Sequence, residues 1–135
     1  MNVLFVCVAN AGRSVMAEHL FRAIGGDRHY ARSAGSDPGV APHPQVVEAL
    51  AELGLDASAH VPRRLDAELL EWADLAVSTC AEEVCPITPG VRRIAWTLRD
   101  PKGLPVDEVR PIRDELRRLV GELAERLDGE EQVSD

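Results

Sequence analysis

The stretch VLFVCVANAGRS, residues 3–14, starts as an apolar run ending at a cysteine. It passes through a short loop containing Asn10 and Gly12, and closes on Arg13 and Ser14. An uninterrupted run of β-forming apolar residues is the pattern of a strand buried on both faces, as in a parallel sheet. From Ser14, SVMAEHLFRAIGG places Met16, Leu20 and Ile24 on one helical face with Ala17 and Phe21 beside them, and Gly25-Gly26 stops the helix. Strand, tight loop and helix in immediate succession make the first half of a βαβ unit.

The same alternation continues along the chain. Residues 29–36 read as a second strand running into a turn, 36–44 as loop, and PQVVEALAELGLD as a helix closed by Gly54. Residues 65–74 are helical in pattern, 74–80 form a buried strand ending on Cys80, and 91–98 form a further strand. After a loop over 99–107, Ile112, Leu116, Leu119, Val120, Leu123 and Leu127 recur at helical spacing, with the regular part beginning near Pro111. We therefore expect a single α/β domain over residues 1–128, a four-stranded parallel sheet flanked by helices on both faces, and an acidic frayed tail over 129–135. Ligands of such sheets bind beyond the carboxyl ends of the strands, where both Cys7 and Cys80 fall.

Composition narrows the function classes. With 15 basic and 23 acidic side chains and a net charge of −8, the chain lacks the basic patches that nucleic acid or anionic membrane would need. Its apolar runs are too short to span a bilayer, and MNVLFVCV lacks the features of a signal peptide, so a cytoplasmic location is expected. In a reducing compartment, three cysteines point to reactivity or metal binding rather than a disulfide framework.

The first loop has a physical logic of its own. Backbone N–H groups of Val8, Ala9, Asn10, Ala11, Gly12, Arg13 and Ser14 can curl into a nest for a tetrahedral oxyanion, aided by the positive end of the helix dipole. Asn10 and Gly12 tolerate the positive φ that tight curling demands. Arg13 offers a planar fork to two oxyanion oxygens. Cys7, beneath the nest, would be favoured as a thiolate by the same donors, with Ser14 hydrogen-bonded to it and capping the helix. The alternative, a core cysteine beside a solvated arginine, leaves the Asn, the Gly and the Ser-led helix without a role.

At this point the chain resembles the low-molecular-weight protein tyrosine phosphatase superfamily, and within it the thioredoxin-coupled arsenate reductases. The matching residues are Cys7 through Ser14, Met16-Ala17-Glu18, Ser33-Ala34-Gly35, Cys80, Cys85-Pro86, Trp96, Asp100-Pro101 and Arg113-Asp114. The resemblance implies that Cys7 attacks arsenate held by the loop and Arg13, phosphate and sulfate being competing oxyanions, while Asp100 protonates the departing oxygen. It further implies that Cys80 attacks the Cys7 adduct and Cys85 then attacks Cys80, leaving a disulfide for thioredoxin. Residues five apart in a regular helix have Cα atoms about 8.6 Å apart, whereas a disulfide needs less than about 7 Å. Any helix between Cys80 and Cys85 must therefore unwind to be oxidised, and Pro86, Pro89 and Gly90 disfavour one. The five-residue spacing is shorter than the family's, and Glu82 and Glu83 lie within it.

Some relatives hold potassium near the first loop. Asn10, Glu18 and Ser33 match part of that site, but Val61 and Arg63 stand at the remaining positions, so neither metal nor cofactor is expected. His19, His29, His43 and His60 show no metal-ligand spacing and are read as surface or capping residues; Trp72 and Trp96 are read as packing. Three alternatives stay open at this stage: a tyrosine phosphatase using Cys7, Arg13 and Asp100; a reductase resolved by mycothiol; and a thiol sensor for arsenite or zinc. The Lys102-Gly103 that follows Asp100-Pro101, together with a single tyrosine, favours a small inorganic oxyanion over an aromatic phosphate. A monomer is expected.

Overall fold

The computed structural model describes residues 1–80 and 88–133. Its elements are β1 (Asn2–Cys7), α1 (Arg13–Gly25), β2 (Tyr30–Gly35), α2 (Pro44–Ala51), α3 (Ala67–Trp72), β3 (Leu75–Ser78), β4 (Arg92–Ala95) and α4 (Val106–Val133). The strands form one sheet in the order β2-β1-β3-β4, and every pairing is parallel. β1 is central, with Cys7 beside Gly35 of β2 and Val6 beside Ser78 of β3.

Alternation along β1 sends its side chains to two cores. Val3 and Phe5 join Val77 against Phe21 of α1, Leu50 of α2 and Leu116 of α4, all buried. Leu4 and Val6 pack on the opposite face with Leu69 of α3, and both Cys7 and Cys80 belong to this second cluster. A strand covered by helices on both faces has no polar position to alternate with, which is why β1 reads as a continuous apolar run. Among the described residues, no helix is long and apolar enough to cross a membrane.

Several element boundaries differ from the sequence reading. In α1 the buried stripe runs through Ala17, Phe21 and Gly25, and Ile24 is left 39% exposed. α3 begins only at Ala67, because the Asp66 carboxylate accepts the Leu69 N–H at 2.9 Å and caps it there. Residues 63–65 instead run along β2, with the Gly35 N–H on the Arg63 carbonyl and the Leu65 N–H on the Gly35 carbonyl. α4 starts at Val106 and carries Pro111 inside it. Pro111 is the sixth residue, in the second turn, so it forgoes one intrahelical N–H bond while its fixed φ stays in the helical range, and the helix continues past it. α4 also continues through residues 129–133, where the sequence reading placed the tail, and Arg92 of β4 pairs with Glu130 at 2.9 Å.

Candidate active site

All four strands deliver their carboxyl ends to one edge. The strand order places β2 on one side of β1 and β3 on the other, so the connections leaving β1 and β3 diverge there and open a crevice. The loop of residues 8–12 fills that crevice.

Its shape follows from where its carbonyls go. The Cys7, Val8, Ala9 and Ala11 carbonyls accept the backbone N–H groups of Ser36, Asp37, Gly39 and His43, at 2.8 to 3.3 Å. The loop after β2 therefore runs alongside the first loop and draws its carbonyls outward. In a trans peptide the N–H lies opposite the C=O, so the N–H groups of Val8, Ala9, Asn10 and Gly12 point to the inner side. The Asn10 N–H does so, donating to Cys7 Sγ at 3.2 Å. Asn10 adopts φ +51°, the left-handed turn expected of it.

Cys7 is a free thiol, 4% exposed, with Ser14 Oγ 2.8 Å from its sulfur. Ser14 does not cap α1: the capping position is Gly12, and no side chain bonds there. This corrects the dual role expected of Ser14, whose hydroxyl is committed to the thiol. Asn10 is fully buried and organises the remainder. Its Nδ2 donates to Ser14 Oγ at 2.8 Å and Ser33 Oγ at 2.9 Å, and Ser33 in turn donates to Glu18 Oε1 at 2.8 Å. Its Oδ1 accepts from the Arg63 backbone N–H at 3.0 Å and faces His60 Nε2 at 3.1 Å.

Arg13 reaches across to the loop after β4, donating from Nη1 to the Leu98 carbonyl at 3.0 Å, with Nη2 3.8 Å from Asp100 Oδ2. Asp100 is 57% exposed and accepts the Lys102 N–H at 3.0 Å, so the turn and the proximity to Arg13 coexist. Pro101 lies over Gly12: a Cβ there would stand 2.7 Å from Pro101 Cγ. Gly35 is tighter still, since its Cβ would fall 2.2 Å from the Val8 carbonyl oxygen. Burial holds the neighbouring His43 imidazole below its ordinary pKa, opposed by Asp100 and reinforced by Lys102.

The structure thus gathers Cys7, the 8–12 loop, Arg13, Ser14 and Asp100 at one edge, with Cys80 buried in the cluster that holds Cys7. Cys85 lies outside the described residues. Sequence reading missed His60, which reaches Asn10 from fifty residues away, and the 36–43 segment that positions the loop. It also set the histidines apart: His19 and His60 meet edge-to-face at 6.1 Å beside Glu18, and His29 is buried against Asp128. Potassium does not fit here. Both lone pairs of Asn10 Oδ1 face N–H donors, Glu18 Oε1 accepts from Ser33, and the Arg63 cation lines the adjoining cavity.

A chain that folds a thiol into an N–H cradle at the carboxyl edge of a parallel sheet, with an arginine at its rim, has the architecture of a cysteine-based enzyme acting on oxyanions. Residues 2–133 match the low molecular weight phosphotyrosine protein phosphatase family, and the chain belongs to that family. It is 36% identical to arsenate reductase 2 of Staphylococcus epidermidis over 122 residues, covering 87% of this chain and 92% of that one. A thioredoxin-dependent arsenate reductase from Corynebacterium glutamicum superposes with a TM-score of 0.78 at 33% identity, covering 99% of this chain and 63% of the other. A low molecular weight protein tyrosine phosphatase from Bacillus subtilis superposes with a TM-score of 0.83 at 31% identity, covering 96% and 98%.

Proposed function

We propose that this protein reduces arsenate to arsenite with its own cysteines and is recycled by thioredoxin. The observation that carries the reading is the burial of a second cysteine, Cys80, in the same apolar cluster as Cys7. Hydrolysis of a phosphocysteine requires only water as its second nucleophile, whereas release of arsenite requires a second thiol. The likeness to the staphylococcal and corynebacterial reductases supports the same choice.

In this mechanism the N–H groups of residues 8–14 and the Arg13 fork hold arsenate over Cys7. The Cys7 thiolate bonds to arsenic, an oxygen departs as water, and Asp100 supplies the proton. The Cys80 thiolate then attacks Cys7 Sγ. The Cys7–arsenic bond breaks with its electron pair passing to arsenic, which leaves as arsenite, and a Cys7–Cys80 disulfide forms. Cys85 attacks Cys80, freeing Cys7, and two electrons from thioredoxin reduce the Cys80–Cys85 disulfide.

The test is anaerobic NADPH consumption with arsenate, thioredoxin and thioredoxin reductase. Wild type is expected to turn over, Cys80→Ser to stall at the Cys7 adduct without releasing arsenite, and Cys85→Ser to stop after one round. If wild type is inert in this assay but hydrolyses an aryl phosphate, and both variants do so equally, the enzyme is a phosphatase. Turnover that mycothiol supports and thioredoxin does not would reassign the reductant.

A further inference from the structure

Behind the anion loop, away from Cys7 itself, a cavity of about 370 Å³ is lined by Glu18, His19 and His60. One ligand atom from each of the three lies within 4.8 Å of the others. We propose that Glu18, His19 and His60 bind a divalent transition ion of the zinc type, in a site distinct from the thiol chemistry and independent of the arsenate reading.

The state of each ligand favours this. His19 Nε2 is buried, has no hydrogen-bond partner and stands 3.8 Å from Glu18 Oε2. A buried ring nitrogen without a partner is uncommon in a native fold, and a metal bond would satisfy it. The tautomer of His60 follows from Asn10. The Arg63 backbone N–H can only donate, so the Asn10 atom it meets is the amide oxygen, and His60 Nε2 must donate to that same oxygen. The lone pair of His60 is thereby left on Nδ1, with the Asn10 amide orienting the ring as outer-shell partners of metal ligands do. Burial also lowers the pKa of both imidazoles, keeping them in the neutral form that binds metal.

Distances and charges select the ion. Zinc bonds of about 2.0 to 2.1 Å in a tetrahedron set neighbouring donor atoms about 3.3 Å apart. The Glu18–His19 separation of 3.8 Å needs little closure to reach this. Arg22 Nη1, 3.3 Å from Glu18 Oε2, sits on a half-exposed side chain that can swing into solvent, while Ser33 keeps Glu18 Oε1. Arg32 and Arg63 line the cavity and oppose a cation, with Asp56 offsetting one of them. Two imidazole donors favour a zinc-type ion over a hard cation held by charge alone, and the bonds to nitrogen must outweigh the repulsion of these arginines. Three protein ligands leave a fourth position open. Glu18, Ser33, Asn10, Ser14 and Cys7 form a continuous hydrogen-bonded chain, so the ion would also brace the anion loop.

The full-length chain carrying Cys7→Ser, Cys80→Ser and Cys85→Ser removes thiolate binding. Calorimetry should show one Zn²⁺ bound, and Co²⁺ should give visible absorption without a sulfur-to-metal band. Adding His19→Gln, which leaves the Asn10 contacts in place, should weaken binding at least tenfold, and Glu18→Gln should weaken it too. Should the serine background fail to fold, wild type serves: with zinc in excess over its thiols, the ring nitrogen resonances of His19 and His60 should shift together. Absence of uptake by the folded serine chain, affinity unchanged by His19→Gln, or unmoved ring resonances in wild type would each overturn the site.

Discussion

Replacing Asn10 tests whether the reactive loop is held by one buried amide. The side chain is wholly buried and engages Ser14, Ser33, His60 and the Arg63 N–H. In Asn10→Ala the two serine hydroxyls can rotate and pair elsewhere, but the Arg63 N–H and the His60 N–H lose their acceptor. Leaving two part-buried donors short costs at most about 2 kcal/mol together, at about 1 kcal/mol each. Alanine at φ +51° adds about 1 kcal/mol of backbone strain. The sum is a loss of up to about 3 kcal/mol, a large part of the stability of a domain this size.

Asn10→Gly separates the two contributions. It loses the same hydrogen bonds but tolerates the positive φ, so it should be about 1 kcal/mol more stable than Asn10→Ala. Urea unfolding followed by circular dichroism measures both values by linear extrapolation. If Asn10→Ala loses less than about 1 kcal/mol, no more than the backbone strain alone, the amide is not the support described. If Asn10→Gly is no more stable than Asn10→Ala, the backbone strain has been misplaced.

Gly35→Ala puts a methyl into the Val8 carbonyl at 2.2 Å; it should cost at least 1–3 kcal/mol, about the range of core overpacking, and deform the anion loop, read by urea unfolding and by loss of phosphate binding. Asp100→Asn keeps the turn onto the Lys102 N–H but cannot donate the proton; arsenate turnover should fall about 10²–10⁴-fold with phosphate inhibition little changed, and an unaltered rate removes Asp100 from the chemistry. Glu52 receives Arg110 and Arg113, hydrogen bonds that pull its carboxyl down to about 2. Its folded pKa lies below the unfolded value, so its stabilisation is complete above about pH 4.5, the ordinary glutamate range, and is lost as pH falls towards 2. Glu52→Gln should therefore be less stable than wild type at neutral pH, and thermal melts should show the difference shrinking through that acid window.

What the sequence made legible depends on how local the determining force is. β1, α1 and the reactive loop are contiguous, and their apolar run, helical stripe and Asn-Gly punctuation are all visible within residues 2–25. Strand polarity and helices on both faces followed from the alternation of elements. The start of α3 was displaced because Asp66 caps at a point that periodicity does not mark, and because residues 63–65 gain more from pairing with Gly35 than from joining a helix. Likewise, α4 carries Pro111 in its second turn, where a rule for helix interiors treats proline as a boundary.

The support of the site is a different matter, and its illegibility has a physical cause. A nest of inward N–H groups requires outward carbonyls, and each buried carbonyl requires a donor from elsewhere in the chain. Here the donors are backbone groups of residues 36, 37, 39 and 43, which carry no side-chain signature of the task. The one residue type the arrangement constrains is Gly35, whose missing Cβ admits the Val8 carbonyl. Read along the chain, that glycine looks like a turn former; only the parallel register beside Cys7 reveals that it makes room for the reactive loop. His60 and Arg63 meet Asn10 by the same logic of long-range saturation, from a segment with no periodicity at all. The candidate thiol site is thus written in a dozen consecutive residues, while its support comes from Gly35, from His60 and from backbone N–H groups that any residue but proline could supply.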